Sequence, residues 1–393
     1  MKTCRIANAQ LVLPSRVVSG SLDVRDGRIA QIQESGSAQP QAPFEGPVLD
    51  ARNGFVVPGF IDSHLHGGGG VFVSEEGTAD AVRAAVKAHR SHGTTTLYLT
   101  TGTMRPDQEK TFLQVFAEAR RDPDLADSLP GVHMEGPFLS RDKAGAHALH
   151  LLRPASLKEL DQWQEWSQNA VRLVTVAVEA DPGLSFMKEA TRRGVRVLLG
   201  HTDCSYEQAL QAFRAGANRV THLFNAMSAF HHRKPGVPGA ALSDDEAWVE
   251  LIADGHHVHP AVMTVIVRSK PKNRILVVTD CISDYDPRRQ DQVRFGGVQV
   301  RYDARGYYVL ENGTMCGSAL TMEKAVANIQ SMTGLSLPEA VNCVTLNPAV
   351  NMGLDDRKGS LAVGKDADLV VLDAEWTVQR TLIKGRTVFE QGS

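Results

Sequence analysis

The chain has 393 residues, and 42% of them are hydrophobic, so it can fill the core of one large domain and a smaller second one. The formal net charge is -3, with 42 Lys and Arg against 45 Asp and Glu. Since neither sign forms a long run, nucleic acid and anionic membranes are poor candidates for the main partner. A small-molecule substrate is expected instead.

The N-terminal residues predict a small β domain. Residues 1–57 alternate short apolar strands with turns, and a polar, Pro-containing linker runs from Glu34 to Pro47. The C-terminal residues 355–393 have the same character and include a strand over Val378 to Val388. We therefore expect both chain ends to join in one small β-sandwich beside the central domain.

Residues 58–354 predict a (β/α)8 TIM-like barrel, which is an α/β fold. Amphipathic stretches such as Ala79 to Ser91 and Pro260 to Ser269 separate short apolar strands, as crossover helices do in a parallel sheet. Eight repeats favour a closed barrel over an open sheet. The strands lie near residues 56–63, 94–100, 130–135, 171–178, 194–200, 219–223, 248–253 and 274–280.

After the eighth strand the pattern changes. Val293 to Arg301 and Gly306 to Leu310 predict a strand pair, and a Gly-containing loop then precedes a helix over Leu320 to Ser331. Glycines in this loop would let the backbone approach a ligand closely.

Candidate metal ligands follow the barrel strands. His64 and His66 are two residues apart in an extended segment, so both imidazoles face one place. Glu135, His201 and His222 each close another strand. Active sites of such barrels form where the strands end, which predicts that these side chains converge. Taken singly, each histidine is more usually a structural residue bonded to a backbone carbonyl.

This donor set predicts hydrolytic chemistry. Glu135, His201 and His222 offer three ligands and leave one position open, as in catalytic zinc sites. A metal there lowers the pKa of its bound water to about 7 and polarises a carbonyl. Asp280, which ends the eighth strand, is the candidate general base and acid. The alternatives for Asp280 are a further metal ligand or a cap for the next turn.

With these residues the chain resembles the barrel amidohydrolases and, within them, the N-acetylglucosamine-6-phosphate deacetylase family. The motifs that carry the resemblance extend over nearly the whole sequence, and no single one would suffice. They are Pro58-Gly59-Phe60-Ile61-Asp62-Ser63-His64-Leu65-His66-Gly67-Gly68, Glu135-Gly136-Pro137-Phe138-Leu139, Lys143-Ala144-Gly145-Ala146-His147, Gly200-His201-Thr202, Thr221-His222-Leu223-Phe224-Asn225-Ala226-Met227, Arg233-Lys234-Pro235-Gly236, Ile252-Ala253-Asp254-Gly255-His256-His257-Val258, Val278-Thr279-Asp280 and Gly317-Ser318-Ala319-Leu320-Thr321-Met322.

The resemblance implies hydrolysis of the acetamide of an amino-sugar phosphate, most simply N-acetylglucosamine 6-phosphate, to the free amine and acetate. Glu135, His201 and His222 are similar to the metal ligands present throughout the family. His64 and His66 are similar to the pair that some members use for a second ion. Zinc is the first choice of divalent metal, with iron, manganese or cobalt as alternatives.

The resemblance also implies substrate contacts. His147, next to Ala146, is similar to a histidine near the acetamide carbonyl, where a donor could stabilise the oxyanion. Arg233 resembles an arginine that reaches the phosphate from the neighbouring subunit, which implies a homodimer. From charge alone, Arg233 could instead be a solvated loop residue. The remaining implied contacts are Asn225, Ala226 and His257 for the phosphate and Met315, Cys316 and Gly317 against the sugar.

One departure leaves the sugar open. Residues 281–291 are bulky and charged where many members carry small residues, so an epimer such as N-acetylgalactosamine 6-phosphate, or another N-acyl group, is an alternative substrate.

Two rival functions differ in their residues. Many other amidohydrolases use a carboxylated lysine, but the fourth strand, Val171 to Ala180, ends without one. A catalytically silent sugar-phosphate sensor would have lost a ligand or the base, and every such position is filled here.

The five cysteines predict a reducing compartment. They are far apart and odd in number, which argues against a disulfide framework or a thiolate zinc site. The N-terminus does not resemble a signal peptide, and no apolar run is long enough for a membrane span. A cytoplasmic protein is therefore expected.

Overall fold

The computed structural model describes residues 3–36, 43–283, 294–295 and 298–392. Eight parallel strands form one sheet in which each strand lies beside the next one along the chain. Their order confirms the predicted α/β barrel. The barrel strands are Phe60–Leu65, Thr94–Thr101, Gly131–Glu135, Val171–Val176, Arg196–Leu199, Ala217–Val220, Trp248–Ile252 and Ile275–Val278.

Main-chain hydrogen bonds bring the first and eighth strands together at their C-terminal ends. The Asp280 amide donates to the His64 carbonyl at 2.8 Å, and the His66 amide donates to the Cys281 carbonyl at 2.7 Å. These bonds nearly close the sheet, as a (β/α)8 barrel requires. They also bring the segment of the two histidines beside Asp280.

Helices follow the strands where the amphipathic patterns predict them. The helix Tyr206–Arg214 shows why, since the Ser205 and Gln208 side chains form a capping box at its start. Within the described residues, no helix is both long enough and apolar enough to span a membrane. The helices are Val73–Glu76, Ala79–Ser91, Pro106–Ala119, Leu157–Ser167, Ser185–Arg192, Tyr206–Arg214, Gly236–Ser243, Pro260–Ser269, Met322–Thr333, Leu337–Asn342 and Leu346–Met352.

Both chain ends contribute to the separate β-sandwich, as predicted. The strand Phe55–Pro58 pairs with the N-terminal strand Cys4–Val12 on one side and with the C-terminal strand Leu369–Leu372 on the other. Side chains of both ends are buried in one apolar core. The other strands of this sheet are Val17–Arg25, Arg28–Glu34, Val48–Asp50, Val378–Ile383 and Arg386–Glu390.

The chain divides into two compact units. One comprises Met1–Asp62, Ala88–Thr96 and Thr321–Ser393, and the other comprises Ser63–Lys87 and Leu97–Leu320. The predicted domain boundaries after residues 57 and 354 were placed where the sequence pattern changes, whereas these two units are defined by packing. The boundaries therefore stay a prediction.

The predicted strand over residues 293–301 is wrong. Arg294–Phe295 pairs with Val298–Gln299, and only Arg301–Asp303 pairs with Tyr307–Val309, which in turn pairs with Met315–Ser318. Residues 296 and 297 are both glycine, a pair typical of turns, and this should have divided the strand. A short hairpin, Gly67–Gly68 with Val71–Phe72, also went unpredicted. Residues 284–291 of the charged tract and 37–42 of the linker lie outside the described residues.

Candidate active site

The ends of the barrel strands aim four polar side chains into the barrel mouth. Glu135 is the last residue of its strand, whereas His201, His222 and Asp280 each come two residues after a strand. These last three residues have φ angles of 48°, 29° and 50°, in the left-handed region that only glycine adopts without cost. Such strained backbone clusters at functional sites, and here it turns each strand end towards the others.

Glu135, His201 and His222 meet as predicted. His222 Nε2 lies 3.0 Å from Glu135 Oε1 and 3.0 Å from His201 Nε2. His201 Nε2 lies 3.3 Å from the same carboxylate oxygen. All three side chains are buried. The geometry therefore allows them to share an ion.

His64, His66 and Asp280 form a second group against the same glutamate. His66 Nε2 lies 3.1 Å from Asp280 Oδ1 and 3.2 Å from Glu135 Oε2. His64 Nε2 lies 3.5 Å from Asp280 Oδ1 and 3.4 Å from Glu135 Oε1. Glu135 thus stands between the two groups, with one histidine set on each side.

The donor spacing fits a divalent metal. Two ligands about 2.0–2.1 Å from one ion at the tetrahedral angle are roughly 3.3–3.4 Å apart, close to the nitrogen–oxygen distances in this cluster. His201 Nδ1 is bonded to the Lys143 carbonyl at 2.9 Å, so this nitrogen carries the proton and Nε2 presents its lone pair. The cluster of imidazoles and carboxylates therefore suits a divalent metal ion.

The electrostatics of the cluster also favour a cation. Burial opposes protonation of His64, but the surrounding carboxylates outweigh it and raise the pKa of this imidazole well above its usual value. Burial likewise opposes ionisation of Glu135, yet the adjacent histidines hold its pKa well below the usual value. The carboxylates thus draw positive charge onto the histidines, and a metal ion would supply that charge instead.

His147 lies beside the cluster as a neutral donor. Burial lowers its pKa to about 4, so the ring is uncharged at neutral pH. The Thr103 amide donates to His147 Nδ1 at 3.2 Å, which leaves the proton on Nε2. That nitrogen lies 3.6 Å from Glu135 Oε2, so the N–H faces the cluster.

A cavity of about 280 Å³ opens over the cluster. It is lined by every predicted site residue except His64, which is fully buried, and Arg233, which is exposed on a loop. The lining residues are His66, Glu135, Gly145, Ala146, His147, His201, His222, Asn225, Ala226, His257, Asp280, Phe295, Thr314, Met315, Cys316 and Gly317.

The sequence analysis missed three of the lining residues, which are Gly145, Phe295 and Thr314. Gly145 lies within the family motif that ends at His147, and Thr314 lies in the Gly-containing loop before the helix Met322–Thr333. Both could therefore have been predicted. Phe295 was missed because the sequence analysis placed it inside one strand, Val293 to Arg301, and gave that strand no role in the site. Its ring centroid lies 5.2 Å from that of His147 and 5.5 Å from that of His66.

Comparison with known proteins assigns the class. The model of the amidohydrolase family matches residues 55–388, which is most of the sequence. The chain therefore belongs to the amidohydrolase family.

Three proteins similar to this chain are named as deacetylases of N-acetylated amino-sugar phosphates. The N-acetylglucosamine-6-phosphate deacetylase of Bacillus subtilis is 31% identical over 390 residues, covering 98% of this chain and 96% of the relative. The N-acetylgalactosamine-6-phosphate deacetylase of Escherichia coli O157:H7 is 33% identical over 366 residues, covering 93% of each. The N-acetyl-D-glucosamine-6-phosphate deacetylase structure from Mycobacterium smegmatis superposes with a TM-score of 0.88 at 32% identity, over 98% of this chain and 100% of that one.

Proposed function

We propose that this protein is an N-acetylglucosamine-6-phosphate deacetylase, which hydrolyses N-acetylglucosamine 6-phosphate to glucosamine 6-phosphate and acetate. The observation that carries the proposal is the buried cluster at the barrel mouth, in which Glu135 contacts four histidines within 3.4 Å. Relatives with this activity match almost the full length of the chain.

Glu135, His201 and His222 would hold one divalent ion, and His64, His66 and Asp280 would hold or border a second. When bound, such an ion polarises the substrate carbonyl and lowers the pKa of water. Zinc suits this set, because its ligands in catalytic sites are imidazole nitrogens and carboxylate oxygens with one position left open. Iron, manganese and cobalt accept the same ligands.

Asp280 serves as the general base and then the general acid. Burial opposes its ionisation, but His64 and His66 keep the pKa of the carboxyl below its ordinary value. It therefore accepts a proton as the water oxygen bonds to the acyl carbon, and it returns that proton to the nitrogen as the C–N bond breaks. The products are acetate and the free amine.

His147 is the donor to the acyl oxygen. Because the ring is neutral and its Nδ1 accepts from the Thr103 amide, the Nε2 proton is available to the oxygen on which negative charge develops. Ala146, the residue before His147, also lines the cavity.

The sugar and its phosphate contact other residues that line the cavity. His257, whose Nδ1 is bonded to Asp254 Oδ2 at 2.6 Å, binds phosphate with Asn225 and Ala226. Met315, Cys316 and Gly317 lie against the sugar. All five cysteines are free and buried, which fits the reducing cytoplasm, where we place the protein.

Arg233 completes the phosphate site of a neighbouring copy, so the active enzyme is a homodimer. The Arg233 side chain is exposed and does not line the cavity of its own chain. A guanidinium binds two phosphate oxygens at once, which suits this role.

Arg233→Ala is expected to raise KM for N-acetylglucosamine 6-phosphate by about 10-fold or more, with a smaller change in kcat, because a charge-assisted bond is worth roughly 1.5–3 kcal/mol. Steady-state acetate release gives both constants. Arg192→Ala is the matched control, since Arg192 is likewise exposed and pairs with Glu189 on the helix Ser185–Arg192, away from the cavity lining. An equal loss on unphosphorylated N-acetylglucosamine would contradict phosphate binding.

The second candidate substrate is N-acetylgalactosamine 6-phosphate, favoured by the E. coli O157:H7 relative. Kinetics on both phosphorylated epimers test the assignment, with the unphosphorylated sugars as controls. We expect the larger kcat/KM for the glucosamine derivative. A larger value for the galactosamine derivative would make N-acetylgalactosamine 6-phosphate the assigned substrate. If none of these sugars releases acetate, the proposed deacetylase activity is refuted.

A further inference from the structure

Glu250 is a buried carboxylate that the proposed reaction does not use. It lies in the middle of the seventh barrel strand, Trp248–Ile252, where its neighbours are apolar, and it is 0% exposed. An isolated charge at such a position costs several kcal/mol, so a buried carboxylate needs specific partners.

One oxygen of Glu250 contacts a histidine of each of the two groups of candidate metal ligands. Glu250 Oε2 lies 2.9 Å from His64 Nδ1 and accepts the main-chain amide of His222 at 3.1 Å. His64 belongs to the group with Asp280, and His222 belongs to the group with His201. A single carboxylate therefore holds one member of each group.

The other oxygen of Glu250 forms an ion pair with Arg219. Arg219 Nη2 lies 2.5 Å from Glu250 Oε1, and the same nitrogen donates to the Ser63 hydroxyl. Arg219 is also 0% exposed. The Arg219 guanidinium thus compensates the negative charge of the carboxylate in the barrel interior.

We infer that Glu250 is a positioning residue that orients the metal ligands of both groups; the inference rests on the proposed function for its metal site. By accepting from Nδ1–H of His64, it fixes the tautomer in which Nε2 offers its lone pair to the cluster. By accepting the His222 amide, it holds that residue at its strained φ of 29°.

Two variants test the inference without substrate. Glu250→Gln keeps the size of the side chain but removes the charge, and Glu250→Asp keeps the charge but withdraws the carboxylate from His64. Both should bind Zn²⁺ about 10–100-fold more weakly in competition with a chelator, as loss of outer ligand contacts does elsewhere. The visible absorption of the Co²⁺-loaded variants should also shift, because the ligand geometry changes.

Glu109→Gln is the matched control. Glu109 is another buried glutamate, 2% exposed, paired with Arg153 at 2.9 Å and accepting from Trp163 Nε1 at 3.0 Å, but it lies on the helix Pro106–Ala119. This variant should unfold more easily than the wild type yet keep the wild-type Zn²⁺ affinity and Co²⁺ spectrum.

Wild-type Zn²⁺ affinity and an unchanged Co²⁺ spectrum in a folded Glu250 variant would overturn the inference. If Glu250→Gln does not fold, Glu250→Asp decides, since it keeps a negative charge to compensate the buried Arg219. Acetate release by the wild type is measured separately. If the proposed substrate is wrong, the Zn²⁺ affinities of the variants can still be interpreted.

Discussion

Asp280→Asn is expected to lower kcat for N-acetylglucosamine 6-phosphate by about 10²–10⁴-fold while the metal ion held by Glu135, His201 and His222 stays bound. Asparagine has nearly the shape of aspartate but cannot accept the proton of the attacking water. Because Asp280 lies 3.1 Å from His66 Nε2 and at the edge of the cavity, it is placed to act on a substrate there. Acetate release and metal content are measured on the same sample.

Asp254→Asn is the control for this first prediction. The Asp254 side chain is also buried against a histidine, His257, but because His257 is a proposed phosphate contact, this variant should affect KM rather than kcat. Substantial residual kcat in Asp280→Asn, with the ion still present, would show that another group transfers the proton.

His222→Ala is expected to remove both the ion and the activity. His222 Nε2 contacts Glu135 and His201 at 3.0 Å, so its loss opens one side of the predicted ligand set. The metal affinity should fall by more than the roughly 10–100-fold that loss of an outer contact costs. Elemental analysis after dialysis measures the ion, and acetate release measures turnover.

His150→Ala provides the comparison for this second prediction, because His150 is exposed and is not part of the cluster. It should keep wild-type metal content and turnover. A His222→Ala protein that keeps a full complement of metal would refute the role of His222 as a ligand.

The barrel could be predicted because its signals are local and repeated. Each strand is a short apolar run, and helices such as Ala79–Ser91 begin and end at the predicted residues. The convergence of Glu135, His201 and His222 followed from one rule, that parallel strands of a barrel end on the same face. The family resemblance then added roles that periodicity alone does not contain.

The supporting residues could not be predicted, because their partners are distant in sequence. Glu250 and His64 are 186 residues apart, and Thr103 and His147 are 44 apart. One signal was available: Arg219 and Glu250 are charged residues within predicted barrel strands, and buried charges of opposite sign pair with each other. Phe295 had no such signal, since a pair of glycines interrupts its strand.

The most direct test of the account is acetate release from N-acetylglucosamine 6-phosphate by protein stripped of metal and then titrated with Zn²⁺. We expect no turnover in the stripped protein and a recovery that rises with the number of ions bound per chain, because Glu135 and the histidines around it need a cation to act on an amide. Full turnover in protein shown by elemental analysis to hold no metal would contradict it.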